Sequence, residues 1–307
     1  MFSSYNLGNG LPVFQALASK TRVQIMNLIA GQDGISPKQI SDNLNIPVST
    51  LTSHLNMLCD CGFIFMKEIS TKHGHQKQCF LSPSSEQLLI SLDFPTSTQN
   101  NYWADVPIGN YGCFQITPLC GLATPDFFIG ALDDPRYFAH PDRFHAEILW
   151  FTSGYLEYAL PNFIPHNTVI HQLSISMEIS SEAPGFNEEF PSDITFFLNG
   201  TKIGTWTSPG DFGKRRGKLN PDWWYSFLNQ YGLLKQLVIN QEGTFLDGEK
   251  LSDVTVNSLS LTSESLLFFR IAVLENARHV GGCTLFGRSF GDYKQNIQIE
   301  ISYEKQV

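Results

Sequence analysis

The stretch SPKQISDNLNIPVSTLTSHLNMLCDCG, residues 36–62, predicts two helices joined by a tight turn. Ser36 is placed to cap the first helix, and Pro37 occupies its first position, where no backbone N–H is needed. The turn at residues 45–47 separates this helix from the second. Gly62 ends the second helix, because glycine readily adopts the conformation found just beyond a helix end.

The second helix of this pair has one apolar and one polar face. Its leucines recur at three- and four-residue spacing, at Leu51, Leu55 and Leu58. With successive residues about 100° apart, the opposite face is small and polar. Hydroxyl and amide groups can hydrogen bond to base edges and phosphates in a major groove. The predicted DNA-contacting residues of this helix are Ser49, Thr50, Thr52, Ser53 and Asn56.

The flanking segments complete a winged helix-turn-helix over residues 1–92. Residues 11–30 predict one amphipathic helix closed by Gly31, and residues 84–92 predict a short helix. Residues 63–82 predict two strands around a polar tip that contains glycine. The tip supplies cationic and donor groups suited to phosphates or the minor groove. These are Lys72, His73, His75, Gln76 and Lys77.

The sequence pattern changes after residue 92. Residues 93–103 lack periodicity and predict a linker. Beyond it, the runs HQLSISMEI, DITFFLNGTKIGTW, VNSLSL, LLFFRIAVLE and QNIQIEISYE predict strands, and Asn199-Gly200 predicts a two-residue hairpin turn. The fold class is therefore multidomain α+β, with a β-sandwich or jelly roll over residues 104–307.

Composition limits the class of protein. No charged segment precedes an apolar run at the start, and no window approaches about eighteen uninterrupted apolar residues. Six cysteines are too few for a disulfide framework in a chain of 307 residues. We therefore expect a soluble cytoplasmic protein without a membrane partner.

Residues 1–95 carry six Lys/Arg and six Asp/Glu, so a small number of phosphate contacts and a modest salt dependence are expected for DNA binding.

Residues 10–92 resemble the ArsR-type transcription regulators. The motifs are SKTRVQIMNLI, SPKQISDNLNIPVSTLTSHLNML and the Gly-Phe-Ile start of the wing. Five further motifs resemble a longer subgroup of these regulators that has a C-terminal β domain. They are PLCGLA, ILWFTSGYLEYALPN, PSDITFFLNGTKIGTWTSPGDFGKRRGKL, QYGLLK and LFGRSFGDY. The resemblance implies a homodimer that binds operator DNA, usually a repressor released by an effector.

A metal-responsive repressor is one alternative. Metal-sensing members of that family carry Cys-x-Cys on the helix before the recognition helix, whereas residues 37–44 here contain only Asp42 as a candidate ligand. Cys59 and Cys61 lie one helix later, and residues i and i+2 on a helix point about 200° apart. A metal site at Cys59 and Cys61 would require the end of that helix to unwind. Its further ligands would be His73, His75 and Cys79 in the wing. We expect no metal and no cofactor.

The β domain is the expected sensor of a small ligand. All five tryptophans lie at or beyond residue 103, and two of them are followed by polar, charged segments. Flat aromatic faces beside carboxylate and guanidinium groups suit a hydroxyl-rich ligand such as a sugar. The predicted ligand-binding residues are Trp150, Tyr155, Glu157, Tyr158, Trp206, Asp211, Arg215 and Arg216.

A carbohydrate-active enzyme is the second alternative. A glycosidase needs two carboxylates flanking a cleft. The candidates are Glu157, Glu178, Asp193 and Asp211. No nucleophile elbow, zinc-protease motif or phosphate-binding loop occurs in its proper context. We therefore expect a DNA-binding regulator without catalytic residues.

Overall fold

The computed structural model describes residues 3–6, 10–32, 34–71, 74–82, 88–91 and 100–305. For residues 3–6, 70, 71, 74, 75 and 88–91 it describes the backbone only. The chain divides into two compact units, residues 1–96 and 97–307. Lys72, His73 and residues 93–99 of the predicted linker lie outside the described residues.

The first unit combines helices with short strands. Its described helices are α1 (Leu11–Leu17), α2 (Lys20–Ala30), α3 (Pro37–Leu44) and α4 (Val48–Asp60). Its described strands are β1 (Ser3–Asn6), β2 (Ile64–Thr71), β3 (Gly74–Leu81) and β4 (Leu88–Ser91). β2 and β3 pair antiparallel, with Thr71 opposite Gly74, and Ile35 bridges to Cys79 as a one-residue third strand. The predicted winged helix-turn-helix is confirmed.

The prediction of one helix over residues 11–30 is wrong. The backbone of Ser19 is extended, with φ −138° and ψ 117°, and it separates α1 from α2. The Arg22 side chain explains how the break is stabilised. Its Nε donates to the carbonyl of Ala16 at 2.6 Å and its Nη2 to that of Gln15 at 2.7 Å, which satisfies carbonyl groups at the end of α1.

The first turn of α3 is held by a reciprocal capping box. Ser36 Oγ accepts from the backbone N–H of Gln39 at 3.3 Å, and Gln39 Oε1 accepts from the backbone N–H of Ser36 at 3.0 Å. Pro37 follows at the first helical position. Both donors at this helix start are thereby satisfied within three residues of sequence.

Replacing Ser36 with alanine is expected to destabilise the first unit by about 1 kcal/mol, because a helix N-cap is lost. Urea unfolding of the full chain, followed by the helical circular dichroism signal, measures this change. Asn27→Ala, on the exposed side of α2, serves as the control. Equal unfolding midpoints for the two variants would contradict the assigned role of the cap.

The end of α4 has the glycine geometry that the sequence predicts. Gly62 has φ +73°. Its N–H donates to Cys59 O, and the N–H of Phe63 donates to Leu58 O, both at 2.9 Å. These two hydrogen bonds close the last turn of α4. The buried side chains of Leu58 and Phe63 belong to the same core.

The prediction of a helix over residues 84–92 is wrong where the structure describes it. Leu88–Ser91 is a strand that pairs in parallel with Ser3–Asn6. A short apolar run is compatible with either a helix or a strand, and the choice depends on an available partner. The partner here lies more than eighty residues earlier in the chain.

The second unit consists mainly of antiparallel strands. Its described strands are β5 (Asn100–Val106), β6 (Tyr111–Ala123), β7 (Ile148–Leu160), β8 (Thr168–Ser180), β9 (Ser192–Leu198), β10 (Thr201–Ser208), β11 (Leu233–Ile239), β12 (Thr244–Leu246), β13 (Glu249–Ser252), β14 (Leu267–Val273), β15 (Cys283–Phe286) and β16 (Ile297–Lys305). Residues 100–103, predicted as linker, begin β5.

The strands form one continuous antiparallel sheet that surrounds a single core. β6, β14, β9 and β10 extend from β7, whereas β16, β5, β11, β12 and β13 extend from β8. β15 joins the two by pairing with both β7 and β8. Buried residues from the two groups, such as Phe196 and Phe269 against Ile175 and Ile299, belong to one hydrophobic cluster. The predicted all-β sandwich is confirmed.

Two local predictions in this unit have opposite outcomes. Asn199 and Gly200 both have positive φ, 49° and 78°, and they connect β9 to β10 as the predicted hairpin turn. The predicted strand VNSLSL, residues 256–261, is a turn instead. The reason is a pair of reciprocal hydroxyl bonds: Ser258 Oγ accepts from the N–H of Thr255, and Thr255 Oγ1 accepts from that of Ser258.

Candidate nucleic-acid interface and ligand residues

Helix α4 exposes the polar face that the sequence predicts. The three leucines of its apolar face are buried among residues from α2, α3 and the wing. The five predicted contact residues, Ser49, Thr50, Thr52, Ser53 and Asn56, are all exposed. The Thr52 hydroxyl donates to Val48 O at 2.8 Å and keeps its lone pairs as acceptors. Hydroxyl and amide groups are therefore presented together along one side of a rigid helix.

The start of α4 offers further donors. The first intrahelical bond runs from the N–H of Leu51 to Pro47 O, so the N–H groups of Val48, Ser49 and Thr50 precede it. No side chain in the described part of the chain caps this turn. Backbone N–H groups at the positive end of a helix dipole suit a phosphate oxygen. Sequence analysis did not identify these donors. The signal that could have found them is Pro47 at the N-cap, because proline has no side-chain acceptor for the first N–H groups of the helix.

His54 lies at the border of the polar face. Its side chain is half-buried, and its Nδ1 is 3.4 Å from Arg22 Nη1. Arg22 is also bonded to carbonyls of α1. This contact places His54 against neighbouring protein groups, unlike the more exposed Ser53 on the same helix.

The wing is described in part. Gln76 and Lys77 are exposed on β3, while only the backbone of His75 is described. Lys67 on β2 and Lys38 on α3 are exposed as well. Sequence analysis did not include these two lysines among the contacts. Lys38 lies on α3, the first helix of the helix-turn-helix, and in such motifs this helix crosses the DNA backbone.

The cysteines near the end of α4 are placed against protein groups. Cys61 Sγ donates to Pro12 O at 3.6 Å, and burial raises the pKa values of both Cys59 and Cys61. Burial also raises the pKa of the Cys79 thiol to about 11. A raised pKa disfavours the thiolate that metals bind. Among the residues with described positions, no group of three or more His, Cys, Asp or Glu side chains is arranged to hold a metal ion.

Two of the predicted ligand residues form a cluster with an arginine. Arg270 Nε and Nη2 lie 2.9 and 2.8 Å from Glu157 Oε2, and the guanidinium lies 4.1 Å from the centre of the Tyr155 ring. All three side chains are half-buried. Sequence analysis did not identify Arg270, which lies on β14 opposite Glu157 on β7.

Two other predicted ligand residues are buried. Tyr158 donates its hydroxyl to Ile108 O at 2.7 Å within the main core. Trp150 packs in a second aromatic cluster with Trp224, Phe286 and Phe290. Both residues contact protein groups and do not lie beside the Glu157 cluster on the outer side of β7.

Trp206 lies apart from those residues, on β10. Lys235 Nζ is 4.8 Å from the centre of its indole ring and forms an ion pair with Asp247 Oδ2 at 2.7 Å. Trp206 is half-buried and packs against the main core. The ring of Trp206 therefore lies beside Lys235 of β11, which is paired with Asp247 in the turn after β12.

Asp211 is fully buried beside a second carboxyl. Its Oδ2 accepts from the N–H of Ala183 at 3.1 Å, and its Oδ1 has no partner among the described residues. Burial raises the pKa of Asp211 to about 8. Burial and the nearby Asp211 raise the pKa of Glu182 well above its usual value. Glu182 Oε2 accepts from Asn229 and Thr284, each at 3.0 Å.

Asp211 makes stability depend on pH. Its pKa rises from 3.8 to about 8 on folding, so the folded state binds the proton more tightly. Its contribution to stability is therefore full below pH 3.8 and is lost as the pH rises to about 8. Asp211→Asn is expected to flatten the pH dependence of the melting temperature over that window. A profile as steep as that of the unmodified chain would contradict this assignment.

The two predicted arginines hold loops in place. Arg215 forms a bidentate ion pair with Asp292, in which Nη1 lies 3.0 Å from Oδ1. Its guanidinium carbon lies 3.7 Å from the centre of the Tyr231 ring. Arg216 donates to the carbonyls of Asn220, Pro221 and Trp224. Both guanidinium groups are thus engaged by the chain itself, while part of each side chain stays exposed.

Glu178 anchors the same region from the end of β8. It is fully buried, and its two oxygens accept from the N–H groups of Gly232, Asp292 and Tyr293 at 2.8 to 3.1 Å. Burial raises its pKa to about 8, although the N–H donors oppose that rise. The other candidate carboxylates for glycoside hydrolysis are also engaged: Asp193 accepts from Thr207 and from His279 N–H, and Glu157 pairs with Arg270.

The fold and the exposed face of α4 define a chain with a DNA-binding domain. The family described as winged helix-turn-helix DNA-binding has a model that matches residues 19–64. This match covers α2, α3, α4 and the start of the wing. No curated protein matches the chain.

Solved structures give weak likenesses. They include the Agl-KA catalytic domain (9% identity, 52% of this chain and 22% of that chain, TM-score 0.24), endo-1,3-beta-glucanase from Streptomyces sioyaensis (11%, 70% and 100%, 0.27), and dimeric latent PorU from Porphyromonas gingivalis (9%, 80% and 18%, 0.24). This chain therefore spans about a fifth of the first of these. TM-scores this low carry no argument about fold or function.

The helices in the described part of the chain are too short or too polar to cross a membrane.

Proposed function

We propose that this protein is a transcription regulator that binds operator DNA through α4 and the wing. The observation that carries the proposal is the exposed polar face of α4, within residues that match the winged helix-turn-helix family. Ser49, Thr50, Ser53 and Asn56 provide groups for base edges, and the N–H groups at the start of α4 provide donors for phosphates. The regulator works in the cytoplasm as a homodimer, which doubles the few phosphate contacts of a neutral domain.

The β domain is proposed as the sensor of a small hydroxyl-rich ligand. Of the eight predicted ligand residues, those with surface accessible in the described structure are Tyr155, Glu157, Trp206, Arg215 and Arg216. The ArsR-type resemblance favours repression released by the ligand. A ligand can change operator binding only through its differential affinity for the two states, so tight binding alone is not regulation.

Electrophoretic retardation tests the DNA-binding part. The full chain is expected to retard a fragment from the promoter of its own gene at low salt, and a large excess of unrelated DNA should leave the complex intact. Complexes that disappear with unrelated competitor would contradict specific recognition. Addition of a ligand that binds the β domain is then expected to change retardation of the promoter fragment.

A further inference from the structure

The loop PDWWYSFL, residues 221–228, presents aromatic rings at the surface of the β domain. The side chains of Tyr225 and Phe227 are 53% and 60% exposed. Their rings stack with centres 5.3 Å apart and planes 14° apart. Phe128 stacks on Tyr225 with centres 6.4 Å apart and planes at 20°. We call Phe128, Tyr225 and Phe227 the aromatic ladder, since the Tyr225 ring stacks with both of the other rings.

The loop that carries Tyr225 and Phe227 is held in place by several hydrogen bonds. Trp224 is buried in the second aromatic cluster and donates its Nε1–H to Asn229 O at 2.8 Å. Trp223 donates its Nε1–H to Pro125 O, which places this loop beside residues 124–128. Arg216 and the buried Gln230 donate to carbonyls of the same loop, including those of Trp224 and Tyr225. A preordered site binds a ligand without the cost of ordering the loop.

The charges around the ladder do not select an anion. Lys214 pairs with Glu188 and Arg215 with Asp292, while Arg216 is bonded to backbone carbonyls. Two exposed carboxylates lie close to the rings in sequence: Asp222 in the loop that carries Tyr225 and Phe227, and Asp126 two residues before Phe128. Ion-pair partners for Asp126 and Asp222 are absent from the described residues. Carboxylates accept hydrogen bonds strongly from hydroxyl groups.

We propose that the aromatic ladder binds a neutral carbohydrate, with a sugar ring stacked on the exposed ring of Phe227 and the sugar hydroxyl groups donating to the carboxylates of Asp126 and Asp222 on the adjoining segments. The C–H groups on the face of a sugar ring match the electron-rich face of an aromatic ring. Phe227 is the more exposed of the two loop rings, and a flat exposed ring suits a ring-shaped ligand. This inference rests on the proposed sensing role of the β domain and places the ligand on residues outside the eight predicted ones.

Saturation-transfer difference NMR of the full chain with cellobiose, maltose and lactose tests the proposal. At least one of these neutral disaccharides is expected to receive saturation from the protein, with the ring C–H protons strongest. Phe227→Ala is expected to weaken that binding about tenfold, and Phe227→Tyr to retain it because the ring is kept. Phe163→Ala removes another exposed aromatic ring of the same unit and is expected to leave binding unchanged.

Three results would overturn the proposal. The first is no signal from any of the three disaccharides, and the second is equal binding by Phe227→Ala and the unmodified chain. The third is a change of molecular mass by light scattering in Phe227→Ala, which would make the ladder an interface between copies of this chain. Unchanged melting temperature of Phe227→Ala excludes misfolding as the cause of a loss.

The proposed regulator function is tested separately by DNA retardation. If the chain retards its promoter fragment but no disaccharide binds, the carbohydrate inference fails and DNA recognition stands. If a disaccharide binds the ladder but no promoter fragment is retarded, the regulator proposal fails and the binding site stands.

Discussion

Replacing Ser53 and Asn56 together with alanine is expected to weaken promoter binding strongly while the fold is kept. Both side chains are exposed on α4, and alanine is the best helix former, so the change removes hydrogen-bonding groups without opening the core. A good base-edge contact contributes about 1–3 kcal/mol of discrimination, so loss of two of them lowers affinity by about 30-fold to about 10⁴-fold. A fluorescence anisotropy titration of the labelled promoter fragment measures the change.

A matched control uses the same kinds of substitution on another helix. Gln24 and Asn27 are exposed on α2. Their joint replacement with alanine is expected to change the binding free energy by less than about 0.5 kcal/mol, the usual range for surface positions. Equal affinities for the α4 variant and the α2 variant would show that the polar face of α4 does not read the DNA.

Glu178→Ala is expected to be the most destabilising single change in the β domain. The carboxylate is fully buried and accepts from three backbone N–H groups, those of Gly232, Asp292 and Tyr293. Alanine leaves all three donors without this acceptor, and each buried unsatisfied donor costs about 1–3 kcal/mol. The free energy of unfolding is therefore expected to fall by several kcal/mol, with loosening of the segments that Glu178 joins.

Tryptophan fluorescence during urea unfolding reports this change, since all five tryptophans lie at or beyond residue 103 and hence in the second unit. Glu242→Ala, an exposed glutamate on the turn before β12, is the control. Glu178→Gln keeps one oxygen acceptor and is expected to lose less than Glu178→Ala. A loss below about 1 kcal/mol for Glu178→Ala would mean that water or other groups replace the carboxylate.

Local signals in the sequence predict the first unit well. Ser36 with Gln39 specifies a helix start within four residues, and Gly62 specifies a helix end, because both depend on neighbouring backbone groups alone. The break at Ser19 was not predictable in this way. The side chain of Arg22 satisfies carbonyls of α1 there, and the apolar periodicity continues across the break.

The β domain shows where sequence reasoning loses its accuracy. Alternating strands and an Asn-Gly turn predict a sandwich, but they do not give the order of strands. The partner of Glu157 is Arg270, 113 residues later, and only the pairing of β7 with β14 brings them together. Grouping ligand residues by closeness in sequence therefore combined Tyr155 and Glu157 with the buried Tyr158. The exposed rings of Tyr225 and Phe227 depend on Trp224, which anchors their loop.

The most direct test of DNA recognition through α4 compares two DNA duplexes of equal length and base composition. One carries the promoter sequence and the other a scrambled version, and anisotropy gives both dissociation constants at one physiological salt concentration. We predict that the promoter duplex binds at least about 10³-fold more tightly, as specific sites do. Equal dissociation constants for the two duplexes would contradict sequence recognition by this helix.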